Sequence, residues 1–322
     1  MSAAPTHPSY LAAAAFGTVL GINGLAQAWR LAAPLWGLPA AIGQALTVLA
    51  VVVWATLLLL YALQAVRRGD ATRAEFMHPV AGATPALVGI STLLVATTLR
   101  ADAPLVGAWI GAAGLAWHLG FALWHGGGVW RGGREATHFI PTLYLPSVGG
   151  NLTSAGMLGA YGHADWGFLF LGAGVFAWLA LESMMLQQLW RSAPSASARP
   201  ATGIQFAPAV VAAVAWLLVD PAAPQGAVLM LWGWAVFQML IGLRVLRWLM
   251  AEPWSTSYWS YTFGIASSAV VGCKLALAGV PAARQLGVAT FLFANIVILV
   301  LMAGSARDLL RLLVSVRAPR VT

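Results

Sequence analysis

The sequence predicts an all-α membrane protein in which ten transmembrane helices form five helical hairpins. Composition is the first observation: 60% of the 322 residues are apolar and only 8% are charged, and the mean hydropathy is +0.81. Soluble domains carry about 25% charged residues. The second and third observations are the lengths of the apolar runs and the placement of the basic residues. Lipid is therefore expected to cover most of the surface of one membrane domain, residues 1–322.

Ten apolar stretches follow one another, each able to cross a hydrocarbon core of about 30 Å. They are residues 9–31, 40–66, 79–99, 104–126, 140–161, 165–190, 202–219, 225–248, 255–279 and 284–306. We interpret the first as a retained helix and not as a cleaved signal peptide, because neither a basic region nor an A-x-A site flanks it.

The basic residues lie mainly on one side of this topology. With the N-terminus inside, the cytoplasmic segments hold 13 of the 17, and the other side holds Arg30, Arg100 and Arg284. The 13 are Arg67, Arg68, Arg73, Arg131, Arg134, Arg191, Arg199, Arg244, Arg247, Arg307, Arg311, Arg317 and Arg320. Because translocation of Lys and Arg is disfavoured, the split predicts two cytoplasmic termini and an even number of spans. The pI of about 10.6 reflects this retention and indicates no nucleic-acid partner.

Helix breakers mark the odd-numbered spans. Pro85, Pro146 and Pro208 lie well inside the third, fifth and seventh, at separations of 61 and 62 residues, which is about one hairpin. One period before Pro85 lies Gly24, and one period after Pro208 lies the serine-rich part of the ninth span, near Gly264. A carbonyl freed by proline costs several kcal/mol in lipid unless protein or water satisfies it. We therefore predict an inner ring of odd helices around a central pore, inside an outer ring of even helices. The alternative is a solid bundle that the prolines merely bend.

The odd spans contain neither Asp nor Glu. Their polar groups are Asn, Gln, Thr and Ser side chains and Lys274. Cation channels and proton-coupled carriers place carboxylates in the pathway. The predicted solute is therefore an anion or a neutral molecule.

Five short stretches occur at corresponding places in the five repeats. They are FGTVLGINGLAQAWR in the first helix, EFMHPV before the third, YLPSVGGN in the fifth, ARPATGIQFAPAVVAAVAW at the seventh and YWSYTFGIASSA in the ninth. Together they resemble the tellurite-resistance/C4-dicarboxylate transporter (TehA-like) family, which includes the plant guard-cell slow anion channels. The resemblance implies five hairpins around a pore in each protomer of a homotrimer in a bacterial inner membrane. Members are described as anion channels, dicarboxylate carriers, sulfite exporters and tellurite-resistance factors.

The resemblance also implies that Phe263 blocks the pore. A phenyl ring in a narrow apolar pore excludes water and therefore ions. Gly264 stands where plant channels often have proline, which leaves the kink of the ninth helix open. Without the resemblance, a transmembrane Phe is usually packed core or lipid contact, so both interpretations of Phe263 are kept.

Other pore-lining residues are expected on the odd helices. They are Gly17, Gly21, Pro85, Pro146, Gly150, Asn151, Pro208, Gly264 and Lys274. Lys274 follows Phe263 by 11 residues, which returns to nearly the same helix face three turns on. It either concentrates anions at the outer mouth or snorkels to the interface. Asn151 either donates to an anion or satisfies carbonyls freed by Pro146.

The remaining polar residues have structural interpretations. His78 is expected to cap the third helix, His118 to be packed and hydrogen-bonded, and Glu182 to pair with a nearby arginine. The single Cys273 excludes an intrachain disulfide, and no cluster has the spacing of a metal or cofactor site. No pairing of nucleophile and base indicates an enzyme.

Three functions fit these observations. The first is an anion channel gated by Phe263. The second is a secondary carrier or exporter of C4-dicarboxylates or oxyanions such as tellurite and sulfite, which would show saturable, coupled uptake instead of current. The third is a drug/metabolite exporter built of two inverted halves. Its repeat would be about 150 residues long, and the proline spacing argues against it.

Overall fold

All the regular secondary structure is helical in the computed structural model, which describes residues 11–133, 135 and 138–317. The α-helices in these residues are α1 (Gly17–Trp36), α2 (Ala40–Arg67), α3 (Gly69–Met77), α4 (Ala86–Leu99), α5 (Pro104–Trp130), α6 (Gly150–Ala160), α7 (Ala164–Arg191), α8 (Pro208–Val219), α9 (Gln225–Arg244), α10 (Leu246–Leu249), α11 (Thr262–Leu277) and α12 (Pro281–Arg317). The predicted start of the first span at residue 9, and the predicted cytoplasmic Arg134 and Arg320, lie outside the described residues.

Eight helical segments in the described residues are long and apolar enough to cross a membrane. They are Ala40–Arg67, Ala81–Leu99, Pro104–Trp130, Ala164–Arg191, Ala196–Val219, Gln225–Arg244, Thr256–Leu277 and Pro281–Arg311. The prediction of an all-helical, multi-pass membrane protein is confirmed. The first and fifth predicted spans correspond to α1, which contains Asn23, Gln27 and Arg30, and to α6, which has only 11 residues. The count of ten spans therefore stays a prediction.

The helices pack as consecutive pairs: α1 with α2, α4 with α5, α6 with α7, α8 with α9, and α11 with α12. The first member of each pair is buried and the second is exposed. In the most apolar stretches of the segments that contain α4 and α11, 78% of residues are buried, against 22% in α2 and 28% in α5 and α7. The exposed residues of the second members are mainly apolar, which requires lipid as their solvent.

The five buried helices also pack against one another. The contacts run from α1 to α4, α4 to α6, α6 to α8, α8 to α11 and α11 to α1. Small residues allow these close approaches. A Cβ atom added to Gly24 would lie 2.6 Å from the Cβ atom of Ala266, and one added to Gly159 would lie 2.6 Å from the Cα atom of Val219.

Each buried helix begins after an irregular helical turn. These turns are the 3₁₀ segments Ala13–Phe16, Ala81–Ala83, Ala196–Phe206 and Thr256–Tyr261, and the π-helix Leu145–Gly149. Pro85 directly precedes α4, Pro146 lies in the π-helix, and Pro208 is the first residue of α8. Proline is favoured at a helix start because the N–H it lacks would have no partner there. Pro85 and Pro208 therefore mark helix starts, and Pro146 lies in the irregular turn before α6.

Candidate functional site

A cavity of about 420 Å³ opens among the first turns of all five buried helices. Its walls are mostly apolar. The lining residues that belong to these helices are Gly17 and Leu20 of α1, Leu87 and Ile90 of α4, Leu152 of α6, Pro208 and Val211 of α8, and Phe263 of α11.

Each buried helix contributes one apolar residue as its farthest point of contact with the cavity. Counted along each helix, the last lining residues are Leu20, Ile90, Leu152, Val211 and Phe263, which we call the apolar collar. Phe263 is the bulkiest and is half-buried. It packs against two separate hydrophobic clusters, one with Leu152 and Val211 and the other with Leu20 and Ile90. The ring of Phe263 therefore joins the two sides of the collar.

The mouth of the cavity is lined by hydroxyl groups. The residues are Thr84, Thr142, Ser195, Ser197, Thr256, Ser257 and Ser260, together with His78. No described residue that lines the cavity is an Asp or a Glu. The positive ends of five helix dipoles also meet here, because the lining residues lie in or just before the first turns of the helices. Helix N-termini attract negative charge. The hydroxyls of Thr84, Thr142 and Ser260 already donate to backbone carbonyls, so the helix N-termini carry this preference.

Gly17, Pro208 and Phe263 are the predicted site residues that line this cavity. Lys274 lies 11 residues beyond Phe263, about 16 Å farther along α11. It is partly exposed, and no described acidic residue lies within ion-pair distance of it. Lys274 therefore lies outside the cavity lining, three helical turns beyond Phe263.

Gly21, Gly150 and Gly264 lie at helix contacts and outside the lining of this cavity, so their place in a pore stays a prediction. A side chain at Gly21 would collide with Thr262, and one at Gly150 would collide with the imidazole of His118. A Cβ at Gly264 would lie 2.6 Å from the carbonyl of Phe206. The missing side chains allow close packing. Pro85 and Pro146 likewise lie outside the lining, at the irregular turns described above.

Asn151 also lies outside the lining, because protein groups already engage its amide. Its Nδ2 donates to the Ser147 carbonyl at 2.6 Å, and its Oδ1 lies 3.0 Å from Nε2 of His118. Of the two predicted roles, satisfaction of a backbone carbonyl matches this geometry, although the carbonyl is that of Ser147 and not one freed by Pro146. His118 is buried and hydrogen-bonded, as predicted.

His78 caps the turn before α4, as predicted. Its Nδ1 accepts hydrogen bonds from the backbone N–H groups of Val80 at 3.1 Å and Ala81 at 2.9 Å.

The arginine partner predicted for Glu182 is wrong. Its buried carboxylate accepts four hydrogen bonds from neutral donors: Tyr144 Oη at 2.6 Å, Trp178 Nε1 at 3.0 Å, Gln205 Nε2 at 3.2 Å and Gln238 Nε2 at 3.1 Å. These donors belong to four different segments of the chain. In the sequence, Glu182 is a lone carboxylate in an apolar helix, one turn after its donor Trp178. The other three donors are distant in sequence, so no local pattern predicts them.

Glu75 was missed by the sequence reasoning. It lies in α3 with 4% of its surface exposed, and it accepts hydrogen bonds from Ala13 N at 2.7 Å and Tyr61 Oη at 2.9 Å. Burial raises the pKa of this carboxyl above its ordinary value, and the hydrogen bonds from Ala13, Tyr61 and Thr84 oppose the change. Glu75 thereby fixes the turn that leads into α1 beside the cavity.

Residues 10–306 match the SLAC1 family, described as voltage-dependent anion channels. The tellurite resistance protein TehA homolog of Haemophilus influenzae is 33% identical over 270 residues, which cover 82% of this chain and 81% of that protein. The chain belongs to the SLAC1 family. It is therefore a membrane anion transporter or channel, and the resemblance drawn from the five sequence stretches is confirmed.

Membership of the SLAC1 family removes the exporter built of two inverted halves and agrees with the prediction against an enzyme. The matched range contains the first four helix pairs, α11, most of α12, and the cavity with its apolar collar. It ends at residue 306, so the last 11 residues of α12, 307–317, lie beyond the SLAC1 match.

Proposed function

We propose that this SLAC1-family chain is an anion channel whose pore runs between the five buried helices and is closed by Phe263. The observation that carries the proposal is the cavity of about 420 Å³, which every buried helix lines and which ends at the apolar collar. A constriction of five apolar side chains excludes water, and the largest of them blocks the path most completely. In this proposal α1, α4, α6, α8 and α11 are the inner ring, and their partner helices are the outer ring.

The charges along this path favour anions. The described lining of the cavity contains no carboxylate, while hydroxyl groups and five helix N-termini surround its mouth. Lys274 lies three turns beyond the collar, where its ammonium group raises the local anion concentration. Selectivity in this proposal comes from the field of the whole pore and not from the ring of Phe263.

The finer organisation belongs to the same proposal. It includes ten spans, with α1 and α6 as the first and fifth, two cytoplasmic termini, a homotrimer with one pore in each protomer, and a bacterial inner membrane. The hydroxyl-lined mouth then faces the cytoplasm, because the basic residues near the helix ends follow the positive-inside rule.

Anion-replacement recordings from purified protein in planar bilayers test the proposal. Wild-type protein is expected to pass little current, and Phe263→Ala to pass a large one. In asymmetric potassium chloride the reversal potential of the variant should lie near the chloride equilibrium potential. A reversal potential that follows potassium, or absence of current from a folded Phe263→Ala protein, would contradict the proposal.

The second candidate is a coupled exporter of oxyanions or C4-dicarboxylates on the same fold. Its supporting observation is the printed name of the Haemophilus influenzae relative, which refers to tellurite resistance. In this case liposomes would accumulate or release tellurite, sulfite or malate with saturation and with a dependence on a proton gradient. Current that persists without any coupling ion would favour the channel.

A further inference from the structure

The helix α12 extends far beyond the length needed to cross a membrane. It has 37 residues, which correspond to about 55 Å, against a hydrocarbon core of about 30 Å. Its second half runs beside the segment that leads into α11, residues 254–261, which we call the α11 leader. This segment ends two residues before Phe263. The end of α12 and the proposed gate are therefore neighbours in space.

Two indole hydrogen bonds connect the α11 leader to α12. Trp259 Nε1 donates to Ser305 Oγ at 2.9 Å, and Trp254 Nε1 donates to Asp308 Oδ2 at 2.6 Å. Bonds to a carboxylate are stronger than bonds between neutral groups. A third contact is steric, because a Cβ at Gly304 would lie 2.5 Å from the ring of Trp254. One turn of α12 thus holds both tryptophans of the leader.

The leader in turn fixes the start of α11. Trp259 lines the cavity, and only 2% of its surface is exposed. A side chain on Gly21 of α1 would meet both Trp259 and Thr262, so these groups are closely packed. The Trp259 carbonyl accepts a hydrogen bond from Thr262 Oγ1 at 2.7 Å. Phe263 follows immediately, and a displacement of Trp259 would reach it through one turn of helix.

We propose that Ser305 and Asp308 of α12 are positioning residues for Phe263, and that they keep the pore closed by holding the indoles of Trp259 and Trp254. The inference rests on the proposed function, since it concerns the same gate. It assigns to the end of α12 a role in setting the closed state. Asp308 lies two residues beyond the range matched by the SLAC1 family, in the part of α12 that extends past that range.

The test compares Ser305→Ala and Asp308→Ala in two backgrounds, wild type and Phe263→Ala, by bilayer current. In the wild-type background each variant is expected to raise the basal current about fivefold, the change that corresponds to a hydrogen bond of about 1 kcal/mol. In the Phe263→Ala background neither should add current, because the group they position is gone. Ser305→Thr, which keeps the hydroxyl, should behave as wild type.

Asn295→Ala provides a matched control on the same helix. Asn295 Oδ1 accepts an indole hydrogen bond from Trp29 at 2.8 Å, but Trp29 belongs to α1 and not to the α11 leader. Its loss should lower thermal stability to a similar degree without raising the current. If Ser305→Ala fails to fold, Trp259→Phe removes the N–H that donates to Ser305, and if Asp308→Ala fails to fold, Trp254→Phe removes the N–H that donates to Asp308. Each should give the same rise as the alanine variant it replaces.

The outcomes separate the two proposals. Unchanged current in folded Ser305→Ala and Asp308→Ala proteins overturns the positioning role, and so does an equal rise in the Phe263→Ala background. A rise with Asn295→Ala overturns it too, since general loosening of α12 would then suffice. If Phe263→Ala itself carries no current, the proposed gate fails, and the positioning inference fails with it.

Discussion

Shortening the side chain at position 263 stepwise separates a gate from a core residue. In a packed core, Phe→Ala costs about 3–5 kcal/mol, because it leaves a closed void. Phe263 instead borders an existing cavity of about 420 Å³ and is only partly buried. Since full burial of a Phe is worth about 1.5–3 kcal/mol and no closed void is left here, the expected loss is below about 3 kcal/mol. Truncation here extends open space and removes little packing.

The assay measures melting temperature and bilayer current on Phe263→Leu, Phe263→Val and Phe263→Ala. Current is expected to rise in that order, as the gap in the apolar collar widens, while the melting temperature falls only slightly. Phe291→Ala is the matched control, because Phe291 is 5% exposed and its ring packs between Trp29 and Trp36 at centroid distances of 5.2 and 5.1 Å. That variant should lose the full core amount and carry no current. A series at position 263 that loses stability like Phe291→Ala and stays closed would refute the gate.

Three further predictions concern charged residues. Lys274→Ala should reduce anion flux through Phe263→Ala channels more in low salt than in high salt, because the field of a vestibule charge is screened within about 10 Å at 0.1 M; equal reductions would favour a snorkelling lysine. Glu182→Ala should lower the unfolding free energy by about 3–5 kcal/mol, since it leaves four buried donors, including Tyr144, without their acceptor. Chemical denaturation in detergent measures this loss, and a change within error would show that water replaces the carboxylate. Because burial raises the pKa of Glu75 above 4.5, its contribution to stability is fully present below pH 4.5 and is lost as the pH rises through the raised value. The melting temperature of wild type relative to Glu75→Gln should therefore rise as the pH falls towards 4.5, and parallel pH profiles would contradict this.

Local patterns predicted much of the fold. Apolar runs bounded by charge or proline located α2, α5, α7 and α9 to within about four residues, because the requirement to satisfy backbone groups in lipid leaves the helix as the available structure. The buried helices begin about six to ten residues later than predicted, after their irregular turns. The regular spacing of Pro85, Pro146 and Pro208 distinguished the odd spans from the even ones, and the burial of α4, α8 and α11 agrees with that distinction. The sequence did not predict whether each proline kinks a helix or starts one, because proline is compatible with both positions.

The family followed from the sequence by resemblance, because five stretches at corresponding places matched it together. Because the chain belongs to the SLAC1 family, it is a membrane anion transporter or channel. The sequence also placed Phe263 on the pore side by resemblance, whereas the convergence of five helices on one cavity ending at this residue is visible only in three dimensions.

Tertiary structure alone decided which polar groups are already engaged. The amide of Asn151 could donate a hydrogen bond to an anion, but it is already hydrogen-bonded to the Ser147 carbonyl and to His118. Glu182 has the charge to attract an arginine, yet four neutral donors from separate segments reach it first. Ser305 and Asp308 give no signal in the sequence, because their indole partners lie 46 and 54 residues away. The reason is physical: helix formation in lipid depends on neighbouring residues, whereas the partner of a buried polar group is set by how the helices pack.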